Sequence, residues 1–519
     1  MSEPVSEFAL LHNGESVSYG GIGLLKTDAF LAAILEGVDQ GMRVASYFGI
    51  PGRPGDATEL VAVLADDYAG RLRVGRTKIA GSSFPSLTPQ CTQVHLFERE
   101  IAEQTGLRPE GHPWLKPVRF ARPLSPNLGV LGRDDGHRPA IGITDFFRVE
   151  GEEVHEVAVG PVHAGVIEPG HFRFQCHGED VFHLEISLGY QHRGIEEAIR
   201  GGPHKVTARQ METVAGDTSI GHGWAYVQNL EALCGLRVSP RAQVIRGIAL
   251  ELERLANHTG DLGALAGDVG YLPTQSYCGR LRGDYLNMTA LICGNRFGRN
   301  LLMPGGVRFG LNSGMVEELL RRLEATGRDV TEAVALLWQS TSVLARFENI
   351  GIVSFEHCLD LGLVGPAARA CGVERDNRSD HPLGIYQFTN IPVVTAHYGD
   401  VNSRAYVRWL EIERSMKFLE ERLGVLAADP EPPPASMPRR TSVEPLAPGR
   451  LICTLIEGWR GEICHVAITG PDGKFLRYKI TDPSFHNWFG LAIALRDQQI
   501  SDFPLCNKSF NLSYCGHDL

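Results

Sequence analysis

The sequence predicts an α+β protein: a small N-terminal α/β domain (1–121), a linker (122–155), and a larger domain (156–519) with a long helix bundle and small flanking antiparallel sheets. Three observations predict it. Residues 27–67 pass from a helical apolar period to two strand-like runs. Residues 193–430 keep a helical period, with stretches as long as 239–266 and 315–347, the pattern of packed long helices. From about residue 156 to 190, apolar and polar residues alternate between turn signals, and strands return in the tail after Gly449.

In chain order, Thr27 or Asp28 caps a helix over TDAFLAAILEGV (27–38). MRVASYFGI and ELVAVLADD then read as strands. Gln93–Thr105 is amphipathic and helical, and Gly106 stops it. The tract 122–142 is polar and rich in Pro and Gly, which marks the linker. In the sheet that follows, turns fall at Glu168–Gly170 and His177–Asp180. Residues 429–449 (DPEPPPASMPRRTSVEPLAPG) are too Pro-rich for a helix or central strand and read as a surface excursion. PDG at 471–473 turns the strands of the tail.

The composition is that of an ordinary globular chain, 43% hydrophobic and 21% charged over 519 residues. A net charge of −11 with no basic stripe argues against nucleic acid as a partner. The N-terminus lacks the basic and apolar regions of a signal peptide, and no run of about 18 apolar residues reads as a membrane span. Eleven cysteines are scattered without a C-x-x-C, so reduced thiols and no iron–sulfur centre in this chain are expected. The histidines 163, 171, 177, 183 and 192 fit no zinc spacing. Neither GGIG (20–23) nor GNRFG (294–298) sits between strand and helix as a phosphate loop does, so no nucleotide site is expected here.

Two families of motif cover most of the chain. FPSLTP, then E-R-E (98–100), Gly106 and G-H-P (111–113), resemble the small soluble subunit of respiratory complex I. From Gly160 onward, GPVH (160–163), HRGIE (192–196), ELERLANHTGDLGALAGD (251–268), GNRFGRNLLMPGGV (294–307), GLVGPAARACGVERDNR (362–378), GDVNSRAYVR (399–408) and EGWRGE (457–462) resemble the complex I large soluble subunit and the nickel–iron hydrogenase large subunit. The fused order, small then large, resembles formate-hydrogenlyase-type large subunits. The ending, DFPLCNKSFNLSYCGHDL, is similar to metal-less, energy-converting-hydrogenase-related members of that branch, and nothing in it calls for proteolytic maturation.

The resemblance implies four thiolates at two C-x-x-C sites, because soft ligands suit nickel and iron. This chain has Ala215 and Thr218 at one site and Ser484 and Asn487 at the other. A methyl, two hydroxyls and an amide are poor metal ligands, so no metal site is expected, and Ser484 and Asn487 are expected to hydrogen-bond across the gap.

Matched residue by residue, the resemblance implies three catalytic candidates. His222, just after the first pair, either lines the old metal cavity and shuttles protons or is a satisfied buried histidine. Glu212 matches a carboxylate on a proton path, although Thr213 replaces the usual Arg beside it; a capping or solvated carboxylate is the plain alternative. Arg460 matches the arginine overhanging the hydrogenase active site; an ion pair with Glu457 or Glu462 is its structural alternative. His163 matches the complex I histidine that hydrogen-bonds a quinone headgroup, yet Gln210 stands where the second partner, a tyrosine, is usual, and an amide cannot give up a proton. His192 and Arg193 correspond to contacts with the iron–sulfur cluster of a neighbouring subunit, the alternative being helix-start packing with Glu196 and Glu197 complementing the dipole.

The resemblance therefore implies an oxidoreductase-complex subunit, related to NADH:quinone oxidoreductase and acting on NAD(P)H or quinone. It would sit peripherally on the cytoplasmic face of the cell membrane. It would pass electrons from a partner iron–sulfur subunit to an acceptor, possibly a quinone in type, coupled to ion movement through antiporter-like membrane subunits and other soluble subunits. A catalytically inert coupling subunit is the alternative, and a formate hydrogenlyase-type hydrogenase the second.

Overall fold

The computed structural model describes residues 4–52, 56–124, 140–165, 167–428 and 445–519. Residues 125–139 of the expected linker and 429–444 of the Pro-rich excursion lie outside the described residues.

The N-terminal part runs β1 (Ala9–Leu11), β2 (Ser16–Ser18), β3 (Leu24–Leu25), α1 (Thr27–Asp39), β4 (Arg43–Ile50), β5 (Thr58–Asp66), β6 (Arg71–Ile79), β7 (Ser83–Pro85), α2 (His95–Thr105) and β8 (Arg108–Glu110). The expected helix and both strands are present, but elements do not alternate: β4, β5 and β6 follow one another as an antiparallel meander in a sheet ordered β1-β6-β5-β4, with short β3 parallel to β6. Strand β6, RLRVGRTKI, escapes sequence reading because basic residues interrupt the buried Leu72, Val74, Thr77 and Ile79. Gly106 ends α2 in the left-handed region (φ 71°), as expected.

The larger part opens with β9 (Val154–Val159), β10 (His171–His177) and β11 (Asp180–Ser187), an antiparallel sheet ordered β11-β10-β9. Then come α3 (Ile195–Ala198), α4 (Thr207–Met211), α5 (Ser219–Cys234), α6 (Pro240–Asp268), α7 (Leu272–Cys293), the small pair β12 (Leu302–Met303) and β13 (Gly306–Val307), α8 (Ser313–Trp338), α9 (Thr341–Phe347), α10 (Phe355–Leu361), α11 (Gly365–Arg369), α12 (Asn377–Asp380) and α13 (Val401–Ala428). The expected helical stretch 315–347 breaks at Gln339–Ser340 into α8 and α9. Helix α6 starts where Ser239 Oγ accepts from Ala242 N and Pro240 opens the first turn, since a missing N–H costs nothing there. The tail folds as β14 (Arg450–Gly458), β15 (Gly461–Thr469), β16 (Phe475–Thr481), α14 (Pro483–Ala494), α15 (Phe503–Phe510) and α16 (Tyr514–Asp518).

The N-terminal strand β2 pairs with β14, so the tail sheet is ordered β16-β15-β14-β2. This sheet packs face to face on the N-terminal one. Along β5, Leu60, Ala62 and Leu64 face the core shared with α1 and α2, while Val61, Val63 and Ala65 face the tail sheet. Both faces are covered, which is why the strand is apolar throughout rather than alternating. The tail sheet does the same: Leu451, Cys453, Leu455, Cys464, Val466 and Ile468 meet the N-terminal sheet, and Ile452, Ile456, Ile463 and Ala467 meet the helix bundle. The layers are thus helices, sheet, sheet and bundle. The two sequence motifs of interest lie where the last two layers meet.

Candidate functional site

The four positions at which thiolates are missing lie at the α4–α5 connection and at the start of α14. Asp482 caps α14 by accepting from Ser484 N (2.8 Å), and Pro483 opens its first turn. Ala215, Thr218, Ser484 and Asn487 are all buried.

Each polar group among them is already engaged. Asn487 Oδ1 accepts from Val364 N, and its Nδ2 donates to Val364 O, both at 3.0 Å. Ser484 Oγ accepts from Ser513 N (2.8 Å). Thr218 Oγ1 donates to Asp217 Oδ1 (3.2 Å) and accepts from Trp459 Nε1 (3.1 Å). The expected bond between Ser484 and Asn487 is therefore replaced by separate backbone partners. The 364–365 segment comes close enough for this because Gly365 (φ 67°) passes directly over the β14–β15 turn; a Cβ there would stand 2.3 Å from Arg460 O.

Arg460 closes the region from the sheet side. Its Nη1 and Nη2 form a fork with Asp217 Oδ1 (2.6 Å) and Oδ2 (2.9 Å), Nε donates to Asn511 O, and the guanidinium lies 3.9 Å from the Trp459 ring centroid. Burial alone would raise the Asp217 pKa, but Arg460 outweighs it and holds the carboxyl below the usual range. The expected alternative partners are taken elsewhere: Glu457 pairs with Arg369 (2.8 Å) and Glu462 with Arg43. Among the described residues, no group of three His, Cys, Asp or Glu is placed to hold a metal ion. One methyl, neutral groups with occupied partners and an ion pair do not fit a thiolate-bound nickel–iron centre.

His222 lies within a buried hydrogen-bonded chain. Asp482 Oδ2 meets His222 Nε2 (3.0 Å), His222 Nδ1 meets His465 Nε2 (3.0 Å), and His465 Nδ1 meets the Tyr478 hydroxyl (3.0 Å). Asn229 Nδ2 then donates to Tyr478 (3.2 Å), and Thr454 Oγ1 donates to Asn229 Oδ1 (2.7 Å). A tautomer set that satisfies every link has Asn229 donating to the phenol, the phenol to His465 Nδ1, His465 Nε2–H to His222 Nδ1, and His222 Nε2–H to Asp482. Burial and the neighbouring His222 hold His465 well below its ordinary pKa, hence neutral, while Asp482 stays ionised because its bond from His222 outweighs burial. Every proton points towards Asp482, the arrangement of a proton relay.

Glu212 is not part of this chain. Its carboxylate accepts from Asn300 N, and its backbone carbonyl accepts from Ser219 Oγ (2.8 Å). Burial pushes its pKa above the ordinary carboxyl value, against the pull of that N–H and of Arg299 and Arg308. His163 sits in the β9–β10 loop, bonded through Nε2 to Gly170 O (2.8 Å) and packed against Phe172. Gln210 Oε1 is buried without a hydrogen-bond partner. His192 Nδ1 bonds Asp518 O (2.8 Å), and exposed Arg193 bridges Thr213 O, Val214 O and Cys515 O. Arg193 thereby braces α16 against the segment before Ala215, and His192 ties α16 to the loop before α3. Glu196 and Glu197 both stand in the first turn of α3; Glu196 is buried in ion pairs with Lys479 and Arg477, while Glu197 is exposed.

Sequence reading missed Asp217, His465, Tyr478 and the role of Asp482. Only Asp482 carried a legible signal, since Asp before Pro at a helix start marks a cap. His465 and Tyr478 come from adjacent strands and belong to no motif.

The fold defines a large subunit of the hydrogenase and complex I scaffold. The family model of the respiratory-chain NADH dehydrogenase 49 kDa subunit matches residues 268–518, and that of the 30 kDa subunit matches 26–124. The chain is 30% identical over 443 residues to formate hydrogenlyase subunit 5 of Escherichia coli, covering 83% of this chain and 76% of that one. It is 31% identical over 360 residues to the carbon monoxide-induced hydrogenase of Rhodospirillum rubrum (69% and 97%) and 30% over 369 residues to NADH-quinone oxidoreductase subunit 4 of Thermus thermophilus (67% and 90%). Its fold matches a chain in the structure of a membrane-bound sulfane sulfur reductase, an archaeal respiratory membrane complex, with a TM-score of 0.66 at 21% identity, over 71% of this chain and 99% of that one. The chain belongs to the family of the complex I 49 kDa subunit and its hydrogenase relatives, here fused to a 30 kDa-type N-terminal part.

Proposed function

We propose that this chain is the large soluble subunit of a membrane-associated oxidoreductase complex that couples electron transfer to ion translocation without a nickel–iron centre. The observation that carries this reading is the Arg460–Asp217 pair and its occupied neighbours at the four ligand positions of an otherwise retained scaffold. Among the described residues no helix is long and apolar enough to cross a membrane, so membrane subunits would supply the ion path.

In this reading electrons arrive from a cluster in a partner iron–sulfur subunit docked near His192 and Arg193, and leave to an acceptor such as a quinone beside His163. Reducing a quinone to a quinol consumes two electrons and two protons, so the acceptor site needs proton donors. His163 is one such group. The Asp482–His222–His465–Tyr478 chain is an internal proton store beside the former metal position, and Arg460 keeps that position closed to ligands. Glu212 lies on the α4 side, apart from this store.

Metal analysis of the affinity-purified native complex tests the reading. Iron in cluster stoichiometry without nickel is the expected result; one nickel per chain overturns it. A second reading, an inert coupling subunit, draws on the same closed position. Complex turnover that survives both His163→Ala and Arg460→Ala selects that reading instead.

A further inference from the structure

A cleft of about 610 Å³, including its open mouth, lies where the N-terminal part, the β9–β11 sheet and α14 converge, apart from the former metal position. Its aromatic walls are Trp114, Trp488 and Phe489, with the Trp114 and Phe489 rings edge to face at 5.9 Å. Its charge is lopsided. Arg99 lines it: Nε donates to Lys116 O (2.9 Å), Nη2 to Pro117 O (2.8 Å), and the guanidinium lies 5.7 Å from the Trp114 ring centroid. Among the described residues no carboxylate stands within ion-pair distance of Arg99, and burial pushes its pKa down to about 10. The neighbouring Lys116 already has the one carboxylate of the cleft, Glu185 (2.7 Å), whose other oxygen accepts from Phe147 N (2.8 Å). His95 adds no charge, since burial holds its pKa near 3. Finally, Trp488 is 3% exposed and its indole N–H has no hydrogen-bond partner.

A half-buried guanidinium with no carboxylate at ion-pair distance, offset only by the more distant Glu185 and Glu103, and an unsatisfied indole N–H are both costly unless something binds them. Aromatic walls around a few convergent polar groups are the usual make-up of a small-molecule site. We propose that this cleft binds a small, flat organic anion, an aromatic carboxylate, with its charge against Arg99 and its ring against Trp114 and Phe489. The proposal is independent of the electron-transfer reading.

The test is titration of the purified full-length chain with benzoate, benzamide and acetate, followed by calorimetry and by tryptophan fluorescence, which Trp114 and Trp488 would report. Benzoate is expected to bind saturably, with benzamide and acetate each weaker by about tenfold or more, the worth of one charge-assisted contact or of the ring's burial. Arg99→Gln is expected to weaken benzoate by about tenfold. Because Arg99 also supports the 116–117 backbone, a second variant is needed: Ala492→Phe fills the cleft from α14 without touching Arg99 and is expected to abolish binding. Absence of saturable benzoate binding, equal binding of benzamide, or undiminished binding by Ala492→Phe overturns the proposal.

Discussion

Two buried seams around the tail sheet are built on opposite chemistry. Towards the N-terminal sheet, Leu451, Leu455, Val466 and Ile468 meet Val61, Val63, Leu72 and Val74, and the cluster there is apolar throughout. At the other seam, where the end of β14 meets α6, α11, α12 and α13, the interior is ionic. Arg369 reaches Glu411 (2.7 Å) and Glu457 (2.8 Å), Arg378 reaches Asp376 (2.6 Å) and Glu251 (3.1 Å), and Arg254 reaches Glu251 (3.0 Å), all at 4% exposure or less. The apolar face contributes free energy in proportion to area and tolerates small shifts. The ionic seam contributes little net stability, because drying each charge costs several kcal/mol, but it accepts only one arrangement of its helices. The protein thus uses an apolar seam for adhesion and an ionic seam for placement, the latter next to the β14–β15 turn that carries Arg460.

The sharpest way to break this contrast is Arg369→Met. It strands Glu411 and Glu457 in the interior and is expected to cost about 3–5 kcal/mol, measured by denaturant unfolding. On the apolar face, Val466→Ala removes two methylene equivalents and leaves a small cavity, for an expected loss of about 2 kcal/mol in the same assay. If the two losses come out equal, the two seams are not energetically distinct in the way argued.

A third test uses pH. Glu253 accepts from Ile220 N (2.7 Å) and Gly221 N (3.2 Å), and burial pushes its carboxyl up to about 8. The folded chain then holds a proton that the unfolded chain releases near its ordinary value of about 4.3. Its contribution is fully present below that value and is lost as pH rises towards 8, at about 1.4 kcal/mol per pH unit. Glu253→Gln should flatten that part of the stability–pH curve; an unchanged slope shows that Glu253 is ionised when folded. The ionic seam acts in the opposite sense. Burial would raise the Glu411 carboxyl, but Arg369 and His258 hold it well below the ordinary range, so its contribution fades only in acid. The smallest expected effect is Tyr478→Phe. It removes one link of the relay and leaves His465 and Asn229 short of a partner, for about 1–2 kcal/mol, with a broadened solvent isotope response in the complex if the relay carries protons.

Much of this was legible in the chain. The class, the long helix α6 and the sheet before it follow from periodicity, and the family follows from many motifs in order. What escaped has physical causes. Strand β2 is three residues long and has meaning only against β14. Strand β6 hides its apolar face among basic residues. At the site, linear reading offers Glu457 and Glu462, neighbours in sequence, as ion-pair partners of Arg460, whereas the chain folds Asp217 onto it from 243 positions away. Relay members on neighbouring strands share no spacing rule that a linear reading can use.

The pairing of β2 with β14 also bears on how the protein is made. Arg450 of β14 donates to Ser16 of β2 across 434 positions, so the two strands of this edge are synthesised far apart in time. A contact of such long range forms late and slowly, and the sheet of β4, β5 and β6 must wait with an apolar face uncovered until β14 and β15 emerge. Joining the 30 kDa-type and 49 kDa-type parts in one polypeptide shortens that wait, because the two sheets then meet at the high effective concentration of a tether rather than by collision of separate subunits.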